Sequence, residues 1–544
     1  MPADELAISR LSGANQNHIL ALLEHGSEEN KVSLSNQVLN ELSHVNFHHF
    51  NDVLRDSLEL AKTGAVASVV EPPPKDFLFD VSSPALRRAQ VDRITRLEML
   101  GYKAIHVGQV AFLILAGGSG TRLGFDKPKG LFVCSELQSP KSLFMIYAEK
   151  IRKRQELADA HFQHGKEARI PLLIMTSDQN DEETRNFFEE NAYFGLVKEQ
   201  VYFFKQMSTP CYEEETGKII MESRGRICAA PGGNGAVFSA LAAAPTKPVN
   251  CKAMPDESVL DCMQRLGVRY IQIGNVDNLV AKIADPLFVG YAIEQEAHVV
   301  VKTCPKISAD ERVGVFARLD GGWGVVEYTE IGDRAKEVCE STGELKFNCA
   351  NISCNICSLP FLRLAAGRMK TFTQYHVARK KIPSMKGPVM GIKLEAFIFD
   401  LFRFADECDH PPKENGAFRI MQVNRNEEFA PIKNADGAAS DTPKDAVRLM
   451  LNLHTQWLLT ALESAAMSDN KASRCIGIDA TESKAAVTVM RKRDIKAEIS
   501  PLVSSEGEGL TPYLPRVIHQ LLHESRERIV IRRDEEVVPE PSSL

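Results

Sequence analysis

The sequence predicts an α/β protein whose mostly parallel, twisted sheet carries helices on both faces. From about residue 108, short β-branched or fully apolar runs alternate with helical segments, and these runs include VAFLILAG, IPLLIMTS, VYFF, RYIQIGN and HVVVKTC. Strands that are buried on both faces have this composition, because helices cover both sides of a parallel sheet. The chain has 544 residues, of which 44% are hydrophobic and 25% charged, so it can build a large core.

The regions before and after this alternating part have different patterns. Residues 3 to 64 carry apolar residues at helical spacing, as in NHILALLEH, and the prolines of VVEPPPKDF then interrupt any helix. Near the end of the chain, KAAVTVMRKRDIKAEISP is typical of strands and TPYLPRVIHQLLHESRER of a terminal helix. We therefore predict a helical N-terminal domain at 1–107, an α/β domain at 108–449 and a small β-containing C-terminal domain at 450–544.

The charge and the hydropathy pattern exclude several classes of protein. A net charge of −7 at pH 7 argues against a dedicated nucleic-acid-binding protein, which would usually be basic. No apolar run approaches the roughly 18 residues of a membrane span, and MPADELAISRLSG has no apolar signal segment. We expect a cytoplasmic protein without nucleic-acid or membrane partners. The ending Ser542, Ser543 and Leu544 differs from the peroxisomal Ser-Lys-Leu signal at its centre, so a peroxisome-like microbody is the alternative.

The twelve cysteines are irregularly spaced, and Cys354 and Cys357 of NISCNIC form the single CxxC pattern in the sequence. Such a pair can be a redox motif or half of a zinc site. The sequence contains no second CxxC and no well-spaced pair of histidines, and the surrounding segment is apolar. We therefore predict reduced and buried cysteines that act as small apolar side chains.

The stretch FLILAGGSGTRLGFDKPKG, residues 112–130, places a glycine-rich turn and several cations directly after an apolar strand. Glycines let the backbone approach a ligand, and successive N–H groups in such a turn can bind an anion. Arg122, Lys127 and Lys129 add positive charge that a turn needed only for packing would not require. The stretch therefore predicts a phosphate-binding loop, and its glycines are Gly117, Gly118, Gly120 and Gly124.

Two common phosphate-binding motifs do not fit this loop. A Walker A loop requires GxxxxGK[ST], but no Lys-Ser or Lys-Thr follows these glycines. A dinucleotide-binding loop requires GxGxxG, whereas Gly118, Gly120 and Gly124 have the longer spacing GxGxxxG. The pattern LAGGxGTRLG followed by PKG instead resembles the signature of nucleotide-sugar pyrophosphorylases, which join a nucleoside triphosphate to a sugar 1-phosphate. The resemblance implies a Rossmann-like nucleotidyltransferase core, with its catalytic domain at 108–449.

Further segments narrow the resemblance to the eukaryotic-type UDP-N-acetylglucosamine pyrophosphorylases. Similar segments occur in the family's order between about Glu71 and Lys444; they are PGGNGAVFSAL, GVVEYTEI, NISCNICSLPFL, QYHVARKKIP, GIKLEAFIFDLF and EEFAPIKNADG. Ala236, Phe238 and Ala430 depart from the Gly, Tyr and Ser that are usual in the family. The resemblance implies reversible, Mg²⁺-dependent transfer of a uridylyl group from UTP to N-acetylglucosamine 1-phosphate, which yields UDP-N-acetylglucosamine and pyrophosphate.

The resemblance also implies which residues handle the phosphates. Arg122, Lys129 and Lys433 would be the catalytic residues, because negative charge gathers on the leaving pyrophosphate and cations stabilise it. Asp277 follows the strand YIQIGN within a motif similar to the family's V-D-N turn, and it would bind the metal. Mg²⁺ prefers phosphate oxygens together with one or two carboxylates, so Mg²⁺ is the implied cofactor.

The other residues implied by the resemblance would contact the nucleoside and the sugar. The backbones of Gly118 and Gly233 would touch the uracil and Gln206 would bond its edge, although Lys205 stands where family members usually have a second glutamine. Amides and a carboxylate suit sugar hydroxyls, and a lysine suits a phosphate. The further substrate-binding residues would be Gly117 in the loop, Asn234, Gly314, Glu327 and Asn351 in the acetamido-sugar pocket, and Lys393 at a phosphate.

Three alternatives remain open at the level of the sequence. A UDP-glucose or broad-specificity UDP-sugar pyrophosphorylase would share the loop, although VVEYTEI and NISCNIC favour an N-acetylhexosamine substrate. An NAD-dependent oxidoreductase would use the loop for its cofactor, but the glycine spacing and the cations argue against it. A binding protein that has lost catalysis is disfavoured because Arg122, Lys129 and Asp277 are all present.

Overall fold

The computed structural model describes residues 2–63, 69–162, 165–245, 249–250, 252–254, 256–372, 374–408, 417–467 and 478–533. The helices are α1 (Ala3–Leu11), α2 (Asn17–His25), α3 (Glu28–Asn36), α4 (Phe47–Thr63), α5 (Pro84–Ala89), α6 (Val91–His106), α7 (Leu143–His161), α8 (Asp181–Glu190), α9 (Val237–Ala242), α10 (Val259–Arg265), α11 (Pro286–Glu294), α12 (Leu359–Met369), α13 (Arg425–Glu428), α14 (Pro443–Met467), α15 (Ala480–Lys492) and α16 (Leu514–His523). The strands are β1 (Val70–Glu71), β2 (Leu78–Asp80), β3 (Val110–Leu115), β4 (Leu172–Thr176), β5 (Val201–Lys205), β6 (Ser208–Pro210), β7 (Tyr212–Glu213), β8 (Met221–Ser223), β9 (Arg226–Ile227), β10 (Ala229–Pro231), β11 (Tyr270–Asn275), β12 (Val299–Pro305), β13 (Val315–Leu319), β14 (Gly322–Val326), β15 (Cys349–Ser358), β16 (His376–Ile382), β17 (Val389–Glu395), β18 (Phe418–Gln422), β19 (Lys496–Ile499) and β20 (Arg528–Ile531).

An eleven-stranded sheet forms the centre of the molecule. Eight of its strands lie in the order β2-β18-β12-β15-β11-β3-β4-β5. Within this row β15 runs antiparallel to both of its neighbours, and the other five pairings are parallel. The strands β1, β13 and β14 join through the pairing of β13 with β15. The prediction of a mostly parallel α/β sheet is therefore confirmed.

Helices cover both faces of this sheet, as β3 illustrates. Val110, Phe112 and Ile114 pack into one hydrophobic cluster with residues of α6, α7 and α11. Ala111 and Leu113 pack into a second cluster with residues of α9, α10 and α12. Because successive side chains of a strand point to opposite faces, a strand covered on both sides is apolar at every position. This burial explains the uniformly apolar run that ends at the glycine-rich loop.

The N-terminal helices α1 to α4 cover part of the second cluster. Ala7, Leu11, Ile19 and Leu23 are buried in the same cluster as Ala111 of the central sheet. The predicted helical N-terminal region is thus present, and it packs directly on the α/β core. However, β2 pairs with β18 and α6 packs against α11, so residues 78–106 contribute to the central unit. The domain boundary at residue 107 stays a prediction.

The C-terminal region corrects one expectation. We expected strands throughout KAAVTVMRKRDIKAEISP, but its first half lies in helix α15 and its strand, β19, is limited to Lys496–Ile499. The buried residues of α15 recur at helical spacing, and they are Ser483, Ala486, Val487 and Met490. The Asp479 carboxylate caps the helix N-terminus. This amphipathic spacing and the cap outweigh the strand preference of Val and Thr. The strand β19 pairs in parallel with β20, and the terminal helix is confirmed as α16.

Helix α14 connects the central core with the C-terminal unit, which contains α15, α16, β19 and β20. Its first half packs on the central core and its second half on the hydrophobic cluster of the C-terminal unit. It runs across residue 450, where we placed a domain boundary that stays a prediction. None of the described helices combines the length and the apolarity needed to cross a bilayer. The ending Ser542, Ser543 and Leu544 lies outside the described residues, so both compartments remain predictions.

The contact between α14 and the C-terminal unit includes a buried histidine. His454 is 7% exposed, and its Nδ1 atom accepts a hydrogen bond of 3.1 Å from the Ile499 backbone N–H. Burial, together with the positive charge of Lys150, lowers the pKa of His454 to about 3. The folded protein therefore keeps this imidazole neutral, which its role as an acceptor requires.

We expect the stability of the protein to fall as the pH is lowered from about 6.5 towards 3. In this window the unfolded chain binds a proton at residue 454 and the folded chain does not, so acid favours unfolding. The variant His454→Asn retains an acceptor for the Ile499 N–H but does not titrate. The urea midpoint of the parent should therefore decrease more between pH 7.5 and 5 than that of the variant. Equal decreases in the urea midpoints of parent and variant would show that His454 does not cause the loss of stability in acid.

Candidate active site

The loop after β3 closes on itself through backbone hydrogen bonds. The Gly120 N–H donates to the Lys127 carbonyl at 3.0 Å, and the Lys129 N–H donates to the Gly118 carbonyl at 3.3 Å. A short 3₁₀ turn at Thr121–Leu123 ends at Gly124, whose φ of +69° lies in the left-handed region that glycine adopts without strain. The loop is therefore a formed structure, with Arg122 exposed on its outer turn.

Gly117 and Gly118 of this loop have different surroundings. A Cβ atom at Gly117 would lie 2.3 Å from Nε2 of Gln206, whose amide donates to the Gly117 carbonyl at 3.4 Å. A Cβ atom at Gly118 would meet no described atom within 4 Å. Gly117 thus packs closely against the Gln206 side chain, whereas Gly118 borders open space above the end of β3. The structure brings together Gly117 and Gln206, two of the residues predicted to bind substrate.

The most direct contact in the site joins Lys129 to Asp277. The Lys129 Nζ atom lies 2.7 Å from Oδ2 of Asp277, and the two side chains are 16% and 14% exposed. Asp277 follows β11, which is the parallel neighbour of β3, so both residues lie at the carboxyl edge of the sheet. The second oxygen, Oδ1, has no hydrogen-bond partner among the described residues. A predicted catalytic lysine and the predicted metal ligand are therefore adjacent.

The turn that carries Asp277 is fastened to the segment that carries Lys433. The Asn278 side chain donates to the Glu428 carbonyl at 2.7 Å and accepts from the Ala430 N–H at 2.9 Å. The Ile432 N–H donates to the Asp277 carbonyl at 2.9 Å. These bonds bring Lys433 to the rim of a cavity that Asp277 and Asn351 also line.

A bulge in β15 places Asn351 beside this cavity. The partner of Lys302 on β15 is Cys354 and the partner of Thr303 is Asn351, so two residues between them are unpaired. One of these, Ser353, has a left-handed φ of +55°, and its N–H donates to Oδ1 of Asn351 at 2.8 Å. A bulge kinks a strand and redirects its side chains, and here it explains why the NISC segment departs from a regular strand.

The predicted sugar-pocket residues Gly314 and Glu327 lie next to Asn351. The Asn351 N–H donates to the Gly314 carbonyl at 2.9 Å, and a Cβ atom at Gly314 would lie 3.0 Å from Oε1 of Glu327. Burial raises the pKa of Glu327, and the nearby Glu330 carboxylate raises it further. Nearby, the pKa of His376 is raised: burial lowers it, but the 3.1 Å contact with the Asp400 carboxylate outweighs burial. This region therefore places the His376 imidazole among the carboxylates of Glu327, Glu330 and Asp400.

Gly233 and Asn234 form a second group of predicted site residues. Gly233 has a φ of +87°, and a Cβ atom there would lie 2.3 Å from the Ala396 carbonyl oxygen. Glycine is required here both by the backbone conformation and by this close approach. Oδ1 of Asn234 accepts from the Ile398 N–H at 3.0 Å, while its Nδ2 group has no partner among the described residues. The amide N–H₂ of Asn234 therefore remains for a ligand.

Two predicted phosphate-binding residues lie apart from the Asp277 cavity. Lys393 forms a 2.7 Å ion pair with Glu395 on the same face of β17, and it lines a neighbouring cavity with Pro231. Arg122 is exposed, and its carbonyl accepts from the Ala435 N–H at 3.1 Å, so its loop touches the segment after Lys433. The structure thus groups Lys129 and Lys433 with Asp277 but not Lys393 or the Arg122 side chain.

Two residues of the site were not identified from the sequence. Glu395 shares the face of Lys393 because the two positions are separated by two in a strand, and this spacing was a usable signal. Tyr147 lies beneath the Asp277 turn, where its hydroxyl donates to the Asn275 carbonyl at 2.6 Å. Nothing in the local pattern of helix α7 indicates that contact, since the two segments are distant in the chain.

The CxxC pair is not a metal or redox site. Cys354 and Cys357 lie three positions apart on β15 and face opposite sides of the sheet, Cys357 in one core cluster and Cys354 against the other. Burial raises the pKa of Cys354 to about 11. The ten described cysteines are free thiols, and seven of them are buried as predicted, whereas Cys228, Cys339 and Cys354 are partly exposed. The described residues contain no cluster of three or more His, Cys, Asp or Glu side chains that could hold a metal. Cys251 and Cys475 lie outside the described residues.

We expect the bulge at Ser353 to be sensitive to branching at Cβ. A left-handed conformation costs an L-residue roughly 1–2 kcal/mol, and a β-branched side chain fits it least well. Ser353→Val should therefore destabilise the protein by about 1–2 kcal/mol, measured by denaturant unfolding. Ser353→Gly is the matched control, because it also removes the hydroxyl but accepts the positive φ. Equal losses in both variants would show that the backbone conformation is not the cause.

The sequence is similar to a known protein family and to individual members of it. Residues 49–493 match the family model described as UTP–glucose-1-phosphate uridylyltransferase. The UDP-N-acetylglucosamine diphosphorylase 2 of Arabidopsis thaliana is 35% identical over 460 residues, which cover 84% of each chain. The UDP-N-acetylglucosamine pyrophosphorylase of Saccharomyces cerevisiae is 34% identical over 368 residues, which cover 66% of this chain and 72% of the yeast protein.

A solved structure extends the similarity over nearly the whole chain. The crystal structure of uridine diphosphate N-acetylglucosamine pyrophosphorylase from Trypanosoma brucei, in complex with an inhibitor, is 65% identical with a TM-score of 0.91. The match covers 98% of this chain and 99% of the trypanosomal one. The predicted nucleotidyltransferase fold and the predicted family resemblance are both confirmed. The chain belongs to the UTP–glucose-1-phosphate uridylyltransferase family.

Proposed function

We propose that the protein transfers the uridylyl group of UTP to N-acetylglucosamine 1-phosphate, with release of pyrophosphate, and that it also catalyses the reverse reaction. The observation that carries this proposal is the contact of Lys129 with Asp277 at the carboxyl ends of two neighbouring parallel strands. The similarity to a uridine diphosphate N-acetylglucosamine pyrophosphorylase at 65% identity supports the choice of substrates. Membership of a nucleotidyltransferase family also argues against the oxidoreductase alternative.

The proposed reaction needs alignment and charge stabilisation more than it needs a protein nucleophile. An oxygen of the sugar phosphate attacks the α-phosphorus of UTP, and the bond from that phosphorus to the departing pyrophosphate breaks. Lys129 is mostly buried at the loop where the triphosphate would lie, so its charge acts with little screening by water. Lys433 reaches the same cavity from its rim, and Arg122 would approach from the exposed turn.

We further propose that Asp277 holds Mg²⁺ during this reaction. Its Oδ1 atom has no partner among the described residues, and Asp277 lines the same cavity as Lys433 and Asn351. Mg²⁺ is usually bound by one or two carboxylates together with substrate phosphates and water, so a single protein carboxylate fits. The bound ion would orient the phosphates and neutralise their negative charge.

The remaining predicted residues suit the two ends of the product. The open space above Gly118 and the constrained Gly233 are proposed to receive the uracil, with Gln206 held at its edge by Gly117. Asn351 and Glu327 would contact the acetamido sugar, since the absence of a side chain at Gly314 leaves room for the Glu327 carboxylate. Amide and carboxylate groups of this kind discriminate between polar substituents of a sugar.

A direct assay separates this proposal from its closest alternative. Pyrophosphate release from UTP is measured with N-acetylglucosamine 1-phosphate, N-acetylgalactosamine 1-phosphate and glucose 1-phosphate. We expect the highest kcat/KM with N-acetylglucosamine 1-phosphate. The family description names glucose 1-phosphate, so a UDP-glucose or broad UDP-sugar pyrophosphorylase is the second candidate. A clear preference for glucose 1-phosphate would overturn our choice.

We expect Lys129→Ala to slow turnover while leaving the binding of UDP-N-acetylglucosamine largely intact. Removing one preorganised group that stabilises transition-state charge costs about 10²–10³ in kcat. Steady-state rates measure the first effect and isothermal titration with UDP-N-acetylglucosamine measures the second. Lys103→Ala is the control, because it removes the same charge from an exposed position on α6. A turnover number equal to that of the parent would remove Lys129 from the mechanism.

A further inference from the structure

The chain between β11 and α11 is irregular, and it carries Asp277 near its start. Its backbone carbonyls cannot be satisfied by a helix or a sheet, and buried carbonyls without partners are costly. Helix α7 lies directly beneath this segment. Three of its residues, Tyr147, Lys150 and Arg154, share one face because they are separated by three and four positions. Each of the three donates a hydrogen bond to the segment, and we call them the α7 clamp.

Tyr147 joins the two ends of the turn around Asp277. Its hydroxyl donates to the Asn275 carbonyl at 2.6 Å and lies 3.0 Å from the Asn278 carbonyl. The Tyr147 side chain is completely buried, so water cannot replace it at either carbonyl. Burial raises the pKa of Tyr147, and the negative charge of Asp277 raises it further, so the hydroxyl keeps its proton. One donor therefore fixes the residues on both sides of the predicted metal ligand.

Lys150 and Arg154 continue the same pattern along the segment. The Lys150 Nζ atom donates to the Leu279 carbonyl at 2.6 Å and to the Ala281 carbonyl at 3.0 Å. The Arg154 Nε atom donates to the Ile283 carbonyl at 3.2 Å. Together with Tyr147, the α7 clamp contacts five carbonyls between residues 275 and 283. This number leaves little freedom to a segment that has no regular secondary structure of its own.

The C-terminal unit completes this arrangement through Glu506. The Glu506 carboxylate pairs with Arg154 of the clamp and lies 2.8 Å from the Nζ atom of Lys282 in the clamped segment. Burial would raise the pKa of Glu506, but the charges of Lys282 and Arg154 outweigh it and lower the pKa. Glu506 therefore stays ionised and balances the positive charge of both residues.

We propose that the α7 clamp consists of positioning residues that hold the Asp277 carboxylate in the direction required to bind the metal. This inference rests on the proposed function, because it assigns the clamp a role in that reaction. Mg²⁺ demands nearly ideal octahedral geometry and tolerates misdirected ligands poorly. A turn held in advance does not lose conformational freedom when the metal and the phosphates bind. The clamp itself does not touch the substrate; it acts through the backbone on either side of Asp277.

The test uses Tyr147→Phe in the full-length protein, with Tyr212→Phe as the matched control. Both tyrosines are completely buried, but the Tyr212 hydroxyl has no hydrogen-bond partner among the described residues. Amide hydrogen exchange of the ligand-free protein reports the freedom of residues 276–284. The Mg²⁺ concentration that gives half-maximal uridylyl transfer reports the metal site. We also test Lys150→Met, which keeps the length of the side chain but removes its donors.

We expect Tyr147→Phe to accelerate exchange selectively in peptides covering 276–284 and to raise the half-saturating Mg²⁺ concentration about 10-fold. The KM for UTP at saturating Mg²⁺ should change little, because the nucleotide contacts are not altered. Lys150→Met should shift both readouts in the same direction, and Tyr212→Phe should shift neither. If Tyr147→Phe does not fold, Lys150→Met alone decides the outcome.

The experiment distinguishes a failure of the proposed function from a failure of the proposed role of the α7 clamp. A parent protein that does not transfer uridylyl groups to any sugar phosphate would refute the proposed function and, with it, the role of the clamp. If the parent is active but the clamp variants keep the parental Mg²⁺ requirement, the clamp is not a positioning device, even if exchange accelerates. An increase in exchange spread evenly over the molecule would likewise overturn the proposal, since it would indicate a general loss of stability.

Discussion

The ion pair between Lys129 and Asp277 is the contact on which the rest of the site depends. It joins the loop after β3 to the turn after β11, and these strands are parallel neighbours in the central sheet. Both side chains are mostly buried, so each charge has lost much of its hydration and would be costly without the other. The sheet thus gathers a cation and an anion at one point of its carboxyl edge.

Irregular backbone surrounds this contact, and side chains from elsewhere stabilise it. The bulge in β15 is held by Oδ1 of Asn351, and the segment before Lys433 is held by the amide of Asn278. The turn at Asp277 is held by the α7 clamp, and Glu506 connects that clamp to the C-terminal unit. Buried carbonyls and N–H groups outside regular structure need such partners. The C-terminal unit therefore contributes to the order of the site although it lies away from the proposed chemistry.

The local patterns of the sequence predicted the architecture and the chemistry of the main loop. Alternation of apolar runs with helical segments indicated the covered parallel sheet, and the glycine spacing with Arg122 and Lys129 indicated a phosphate-binding loop. Asp277 could be identified because it lies just after a recognisable strand and within a turn that resembles the family's V-D-N motif. The wrong assignment of strands at 484–492 arose because Val and Thr favour strands, whereas burial of one helix face decided the structure. These features depend on neighbours in the chain, which is why the chain order reveals them.

What only the tertiary structure decided is which of these residues meet. Lys129 and Asp277 are separated by 148 positions, and Tyr147 reaches the Asn275 carbonyl across 128. Lys393 was assigned to a phosphate from its motif, yet it pairs with Glu395 and lines another cavity. Contacts of this kind depend on the register of the strands and on the packing of helix α7. The sequence by itself determined the fold class and the types of chemical group. The folded chain determined their distances, because long-range packing has no signature in local spacing.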